Sequence, residues 1–151
     1  MKKLLLPLTL FALSILALAS CKKSSGTSKS KTELLTQASW KINALGIDVN
    51  MNGTIDNGES QEEDCQADNT FTFNTNGTGT DDEGSLLCSG QPQTQDFTWS
   101  FKSNETIISA NNVTFNGDFT ISSLTDTELK AYQDVAMGGG ITARLLVIFK
   151  H

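Results

Sequence analysis

The chain has 151 residues, with 11 Lys and Arg against 17 Asp and Glu, three Cys and one His, for a net charge of −6. From Thr32 onward, five bases face all seventeen acids, a balance of −12. So acidic a surface sets aside nucleic acid as a partner, because phosphate binding needs a basic face.

Lys2 and Lys3 precede an apolar stretch from Leu4 to Ala19 that ends at Ser20-Cys21-Lys22-Lys23. A transmembrane helix needs about 20 apolar residues, and this run is shorter, so it reads as a secretory signal peptide over residues 1–20. Leu18-Ala19-Ser20-Cys21 resembles a bacterial lipobox. Small residues before the cleaved bond suit a narrow peptidase cleft, and the Cys21 thiol would accept diacylglycerol. Two or three acyl chains hold a protein stably to a membrane where one is marginal. Residues 21–31 carry Lys and Ser but no acid, and form a flexible basic tether.

Lipidation of Cys21 leaves Cys65 and Cys88 as an even pair in an oxidising compartment, with a single possible connectivity. Their bridge would close a loop of about 24 residues, worth about 3 kcal/mol in the chain-entropy account.

Residues 32–151 have the length of one domain with a modest core. A short helix is expected over Thr32–Gln37, from the spacing of Leu34, Leu35 and Ala38. Short alternating segments then follow, separated by turn residues: Ser39–Ala44, Thr70–Phe73, Phe97–Phe101 and Thr106–Ser109. Val113 and Phe115 read as a further strand, followed by one through Phe119 and Ile121 and one through Leu129 and Ala131. Asn76-Gly77 marks a hairpin, since both central residues tolerate positive φ. After Gly138–Gly140, the last strand spans Ile141–Lys150, with Ile141, Ala143, Leu145, Val147 and Phe149 on one side. About eight such strands make a sandwich or an up-and-down barrel, and alternation alone does not choose between them.

Asp48-Val49-Asn50-Met51-Asn52-Gly53-Thr54-Ile55-Asp56-Asn57-Gly58-Glu59 matches a calcium loop of the EF-hand type from its first to its twelfth position. Asp48, Asn50 and Asn52 would offer side-chain oxygens, Thr54 its carbonyl, Asp56 a direct or water-borne contact, and Glu59 both carboxylate oxygens. The polar stretch Ser60–Asp68 cannot form an amphipathic exit helix. The expectation is therefore a calcium loop inserted between the first two strands, binding at roughly 10⁻⁴ to 10⁻³ M. Between Asp48 and Glu83 there are ten acids and no base. The outlying ones, Asp81 and Glu83 among them, read as a solvated face.

Catalysis finds no machinery. The sole His is His151, at the terminus, so a Ser-His-Asp or Cys-His site has no base. Zinc sites draw on His and Cys, and the two remaining Cys are expected to be bridged. The protein is read as a non-enzyme.

Leu34-Leu35-Thr36 leading to Trp40, Asp68–Phe73 with Asn76-Gly77-Thr78-Gly79, Phe97–Phe101 and Ile121–Leu129 together resemble the lipocalin-like domains of Bacteroidetes lipoproteins. The resemblance implies an all-β fold: an antiparallel up-and-down barrel of about eight strands with a short N-terminal helix, one closed end and one open end. It also implies that Phe97, Trp99, Phe101, Phe119 and Ile121 line an interior able to hold one small lipophilic ligand. The alternative is a barrel filled by its own side chains, in which the calcium-ordered acidic surface meets a protein or a glycan. Surface-exported lipoproteins of that group carry acids just after the lipidated Cys. Lys22-Lys23-Ser24-Ser25 stand here instead, which places the protein on the periplasmic face of the outer membrane.

The lipobox reading is checked by metabolic labelling. Palmitate should enter the wild-type chain, and Cys21→Ser should abolish the label and release the protein from the membrane pellet.

Overall fold

A computed structural model describes residues 28–151. The expected signal peptide, Cys21 and most of the expected tether fall outside the described residues. Helix α1 (Lys31–Thr36) precedes eight strands: β1 (Trp40–Asp48), β2 (Thr70–Phe73), β3 (Thr78–Asp82), β4 (Thr94–Lys102), β5 (Ile107–Asn111), β6 (Asn116–Leu124), β7 (Glu128–Gly138) and β8 (Ile141–Lys150). Each strand pairs antiparallel with the next, and β8 pairs back onto β1, so the sheet closes into a barrel. Closure removes the unpaired edges that a sandwich would have to protect.

One end of the barrel is capped. Ser30 and Glu33 form a reciprocal capping box that starts α1. Leu35 then points into the core, and its carbonyl accepts the Trp40 Nε1–H at 2.8 Å. The His151 ring lies 3.8 Å from the Trp40 ring, and its Nδ1–H donates to the Ser39 carbonyl. Lys29 and Gln37 both bond Asp126 in the β6–β7 turn, and Lys31 reaches the Glu105 carbonyl. The sole His thus plugs the closed end. The helix starts at Lys31, one residue before the expected boundary, because Ser30 supplies its cap.

The alternation of the strands fills the interior. Trp40, Phe71, Phe73, Phe97, Phe119, Leu129, Ala131, Val147 and Phe149 are all buried. Phe73, Phe97, Trp99 and Phe101 form a run of edge-to-face contacts with centroids 5.3 to 5.8 Å apart. Two local expectations are corrected. Val113–Phe115 is not a strand: Asn112 Oδ1 accepts the Thr114 and Phe115 N–H groups and bends the chain into a turn. The turn leaves Val113 exposed and drops Phe115 into the interior, 4.4 Å from Phe119 and 5.7 Å from Phe149. Ile141 does not share the burial of Ala143 and Val147. It is 60 % exposed, because β7 and β8 run beyond the core at the Gly138–Gly140 hairpin.

The seam between β1 and β2 is the weak place in the wall. These strands pair only at Trp40–Phe71 and Lys41–Thr70. Further along, the end of the inserted loop takes over the edge of β1. Ile47 N–H donates to the Glu59 carbonyl at 2.9 Å, Gln61 N–H donates to the Leu45 carbonyl at 2.8 Å, and Gly46 bridges Ser60. The chain passes so close here that a Cβ on Gly46 would stand 2.3 Å from the Glu59 carbonyl oxygen. The clash is with backbone, so Gly46→Ala should destabilise the fold by about 1 to 3 kcal/mol, read as a lower urea midpoint at unchanged m-value.

Candidate functional site at the open end

Four connections gather at the end opposite α1: the inserted loop, the β3–β4 loop, the Asn112–Phe115 turn and the β7–β8 hairpin. The Cys65–Cys88 disulfide ties the first to the second, with Cα atoms 5.2 Å apart. Asp68 fixes the second loop by accepting from Ser85 N–H and Oγ–H, both at 2.7 Å, and from Leu86 N–H. The Ser85 hydroxyl foremost, with these amides, holds the Asp68 carboxyl below its usual range.

The inserted loop has the turn expected of its sequence. Asp48 is fully buried, and its carboxylate accepts from Asn52 N–H at 3.0 Å and from Gly53 N–H at 2.8 Å. Gly53 has φ +79°, a conformation open to glycine at little cost. Asn50 and Asn52 both direct Nδ2 onto Asp56 Oδ2, at 2.9 and 3.0 Å. Bonds from Asn50, Asn52 and Thr54, in that order, draw the Asp56 carboxyl below its usual value. Glu59 accepts from Val49 N–H and Asp56 N–H. Ser60–Asp68 carries no exit helix, only a 3₁₀ turn over Asp64–Gln66. Lys130 on β7 pins the loop to the wall through the Gly53 carbonyl at 3.0 Å.

The loop therefore brings Asp48, Asn50, Asn52, Asp56 and Glu59 into one hydrogen-bonded group. Each of these side chains carries an oxygen of the kind that ligates a hard cation. The carboxylates of Asp48, Asp56 and Glu59 do not approach within 4.8 Å as a trio. Among the described residues, the one acid–thiol trio that close is Glu63, Cys65 and Cys88, whose sulfurs are bonded to each other.

The five expected ligand-lining residues also come together, but as packing. Phe97 and Trp99 are buried within the aromatic run, Phe119 beneath Phe115, and Phe101 and Ile121 are half-buried toward the closed end. Two depressions lie elsewhere. One, of about 340 Å³, runs along the outer wall past Thr78, Thr80, Asp96, Thr98 and Asn111. The other, of about 190 Å³, opens at the mouth between Glu63, Gln66, Glu83, Cys88, Gln91, Val113 and Thr114. Among the described residues, the large apolar side chains left exposed are Val49, Met51, Leu86, Leu87, Val113, Met137 and Ile141. All stand at this end.

Beneath the mouth lies a group that alternation alone does not reveal. Asn69, Asp81, Glu83 and Asn112 are each at most 7 % exposed, so Asp81 and Glu83 are not part of a solvated face. Asn69 Nδ2–H donates to Glu83 Oε1 at 3.1 Å, and Asn112 Nδ2–H donates to Asp81 Oδ2 at 2.9 Å. The available signal was phase: Asp81 stands two residues after Gly79 and opposite Phe71, on the inward face.

Residues 36–131 match the lipocalin-like domain family. The chain belongs to that family. No curated protein matches it. The lipocalin-like domain is thus an eight-stranded antiparallel barrel with α1 across one end, and it gathers its buried acids and exposed apolar groups at the other.

Burial raises the Asp81 pKa, and the negative charges of Glu83 and Asp82 add to the effect. The Asn112 bond opposes it. Its neighbours across β2 and β4, Phe71 and Gln95, carry no charge. With the folded value above the unfolded one, Asp81's contribution to stability is greatest in acid and is lost as pH rises through the folded value. Asp81→Asn imitates the neutral acid. It should stabilise the protein by on the order of 1 kcal/mol at pH 7 and by little near pH 4, as compared by urea unfolding at both pH values.

Proposed function

We propose that this protein is a membrane-tethered, non-enzymatic lipocalin-like binding protein. It holds a small lipophilic ligand at its open end and is ordered there by a calcium ion. The observation that carries the reading is the convergence at that end of a 190 Å³ depression and exposed apolar residues such as Val113. Exposed apolar groups clustered at one place mark a contact surface. The aromatic interior is occupied by its own side chains, so the ligand rests at the mouth, above Phe115.

Calcium suits the inserted loop by donor chemistry. The ion would be held by Asp48, Asn50, Asn52, Asp56 and Glu59, with the Thr54 carbonyl, and would supply positive charge to a segment rich in carboxylates. Glu59 is both the last ligand of this set and the residue whose carbonyl closes the β1 seam. Binding there would stiffen the wall beside the mouth.

The resemblance of Leu18–Cys21 to a lipobox and the basic residues after it support a position on the periplasmic face of the outer membrane, held by acyl chains. The described chain enters at the closed end through α1, so the tether would join the barrel at the end opposite the mouth. A second reading, a barrel that meets a protein or glycan through its acidic, calcium-ordered surface, is favoured by the filled interior.

Native mass spectrometry of the chain from residue 22, exported behind a non-lipoprotein signal, tests the calcium proposal. One calcium should add to the folded mass at millimolar concentration and leave with chelator, and Glu59→Gln should weaken it about tenfold or more. No added mass at millimolar calcium would refute it. A co-purified apolar molecule would support the ligand reading over the surface reading.

A further inference from the structure

We propose that the ligand is a small lipophilic amine, whose ammonium group sits among Asp81, Glu83 and Asn69 below the mouth. The inference rests on the reading of the open end as a lipophilic binding site.

The argument is an account of donors and acceptors. Glu83 accepts from Asn69 Nδ2–H and from Cys88 N–H. Asp81 Oδ2 accepts from Asn112 Nδ2–H. The Asn112 oxygen is taken by Thr114 and Phe115. Asp81 Oδ1 and Asn69 Oδ1 are left buried with no donor at all. Asn69 is fully buried and Asp81 is 2 % exposed. A buried acceptor without a donor is costly, and more so when it is charged. The group therefore lacks a donor that carries positive charge and asks for no acceptor in return.

Among the described residues, none provides one. No Lys or Arg occurs between Ile42 and Phe101, a span that includes β2, β3 and nearly all of β4. Lys102 pairs with Asp118, Arg144 pairs with Asp134, and Lys130 holds the Gly53 carbonyl. Lys41 and Lys150 face each other at the closed end.

The number of free oxygens selects between a metal ion and an ammonium group. A calcium ion takes six to eight oxygen ligands. Three of the four oxygens on Asp81 and Glu83 already accept N–H bonds, which leaves two free acceptors in the cluster. An ammonium has three N–H donors and needs few acceptors, so the two free oxygens suit it better than a metal ion. Asp81 and Asn69 lie behind the depression, and the guest's ammonium would pass Glu83, which lines it, to reach them. The apolar requirement comes from the surroundings. The mouth depression is bounded by Glu83 on one side and by Val113 on another. Leu86 and Leu87 stand exposed on the same loop as Cys88. Its volume of about 190 Å³ limits the guest to a short chain or a single ring. Glu63 at the rim and Glu83 lining the depression beneath it, with no Lys or Arg in this part of the chain, favour a cation's approach.

The test is an NMR titration of the exported chain from residue 22, following the Asp81 and Glu83 carboxyl carbons and the Asn69 and Asn112 side-chain amides. The probes are pentylammonium, pentanol and calcium chloride. Pentylammonium should shift all four groups saturably. Pentanol should bind at least about tenfold more weakly, and Asp81→Asn should weaken pentylammonium by a similar factor while leaving the fold intact. Pentanol binding as tightly as pentylammonium, or an Asp81→Asn variant that binds the amine unchanged, would overturn the ammonium seat and leave the lipophilic reading standing. Binding of neither organic probe would remove both. Calcium moving the Asp81 and Glu83 carboxyls in place of the amine would give the acceptors to a metal and overturn the proposal.

Discussion

The structure depends on finding a partner for both edges of β1. A barrel has no free edge only if every strand is paired on both sides. β8 satisfies one side of β1 over nearly its whole length, from Lys41–Lys150 to Asp48–Arg144. On the other side, β2 reaches only Trp40 and Lys41. Further along, Glu59 and Gln61 meet the Ile47 N–H and the Leu45 C=O, in keeping with the need of buried backbone groups for partners. The inserted loop is thus part of the wall as well as a surface feature.

This arrangement links three features that are far apart in the chain. Asp48 ends β1 and begins the loop. Glu59 ends the loop and returns to β1. Cys65, six residues further on, ties the same excursion to the β3–β4 loop at Cys88. Anything that orders the loop therefore bears on the rim of the mouth, and the Lys130 contact to Gly53 carries the coupling to β7.

The two ends of the barrel are built on different principles. The closed end is sealed by apolar packing with matched polar groups: Leu35 with Trp40, the stacked His151, and the bonds of Gln37 and Lys29 to Asp126. The open end buries carboxylates with too few donors and exposes apolar side chains with nothing against them. Natural sequences tend to break the usual rules of burial where they have a function to perform. That contrast is the physical ground for proposing the mouth, and not the closed end, as the binding site.

Much of this was legible in the chain. Period-two alternation through Trp40, Phe71, Phe97 and Phe119 marks inward faces wherever a strand is half buried, and Asn76-Gly77 marks a hairpin because only such residues take its backbone angles cheaply. The turn of the inserted loop was readable because it requires Asp48 and Gly53 at a fixed spacing, and the Cys65–Cys88 pairing followed once Cys21 was set aside for lipidation. Local pattern could not tell a sandwich from a barrel, since that depends on whether β8 meets β1. Nor could it show that Asn112 would turn Val113 outward and Phe115 inward, or that Asp81 and Glu83 would be carried from an apparently solvated acidic stretch to a buried place beneath the mouth. Those outcomes were decided by closure. Once the barrel is shut, a residue's position on the inner face overrides its own preference for water, and a carboxylate in phase with Phe71 is buried whatever its charge.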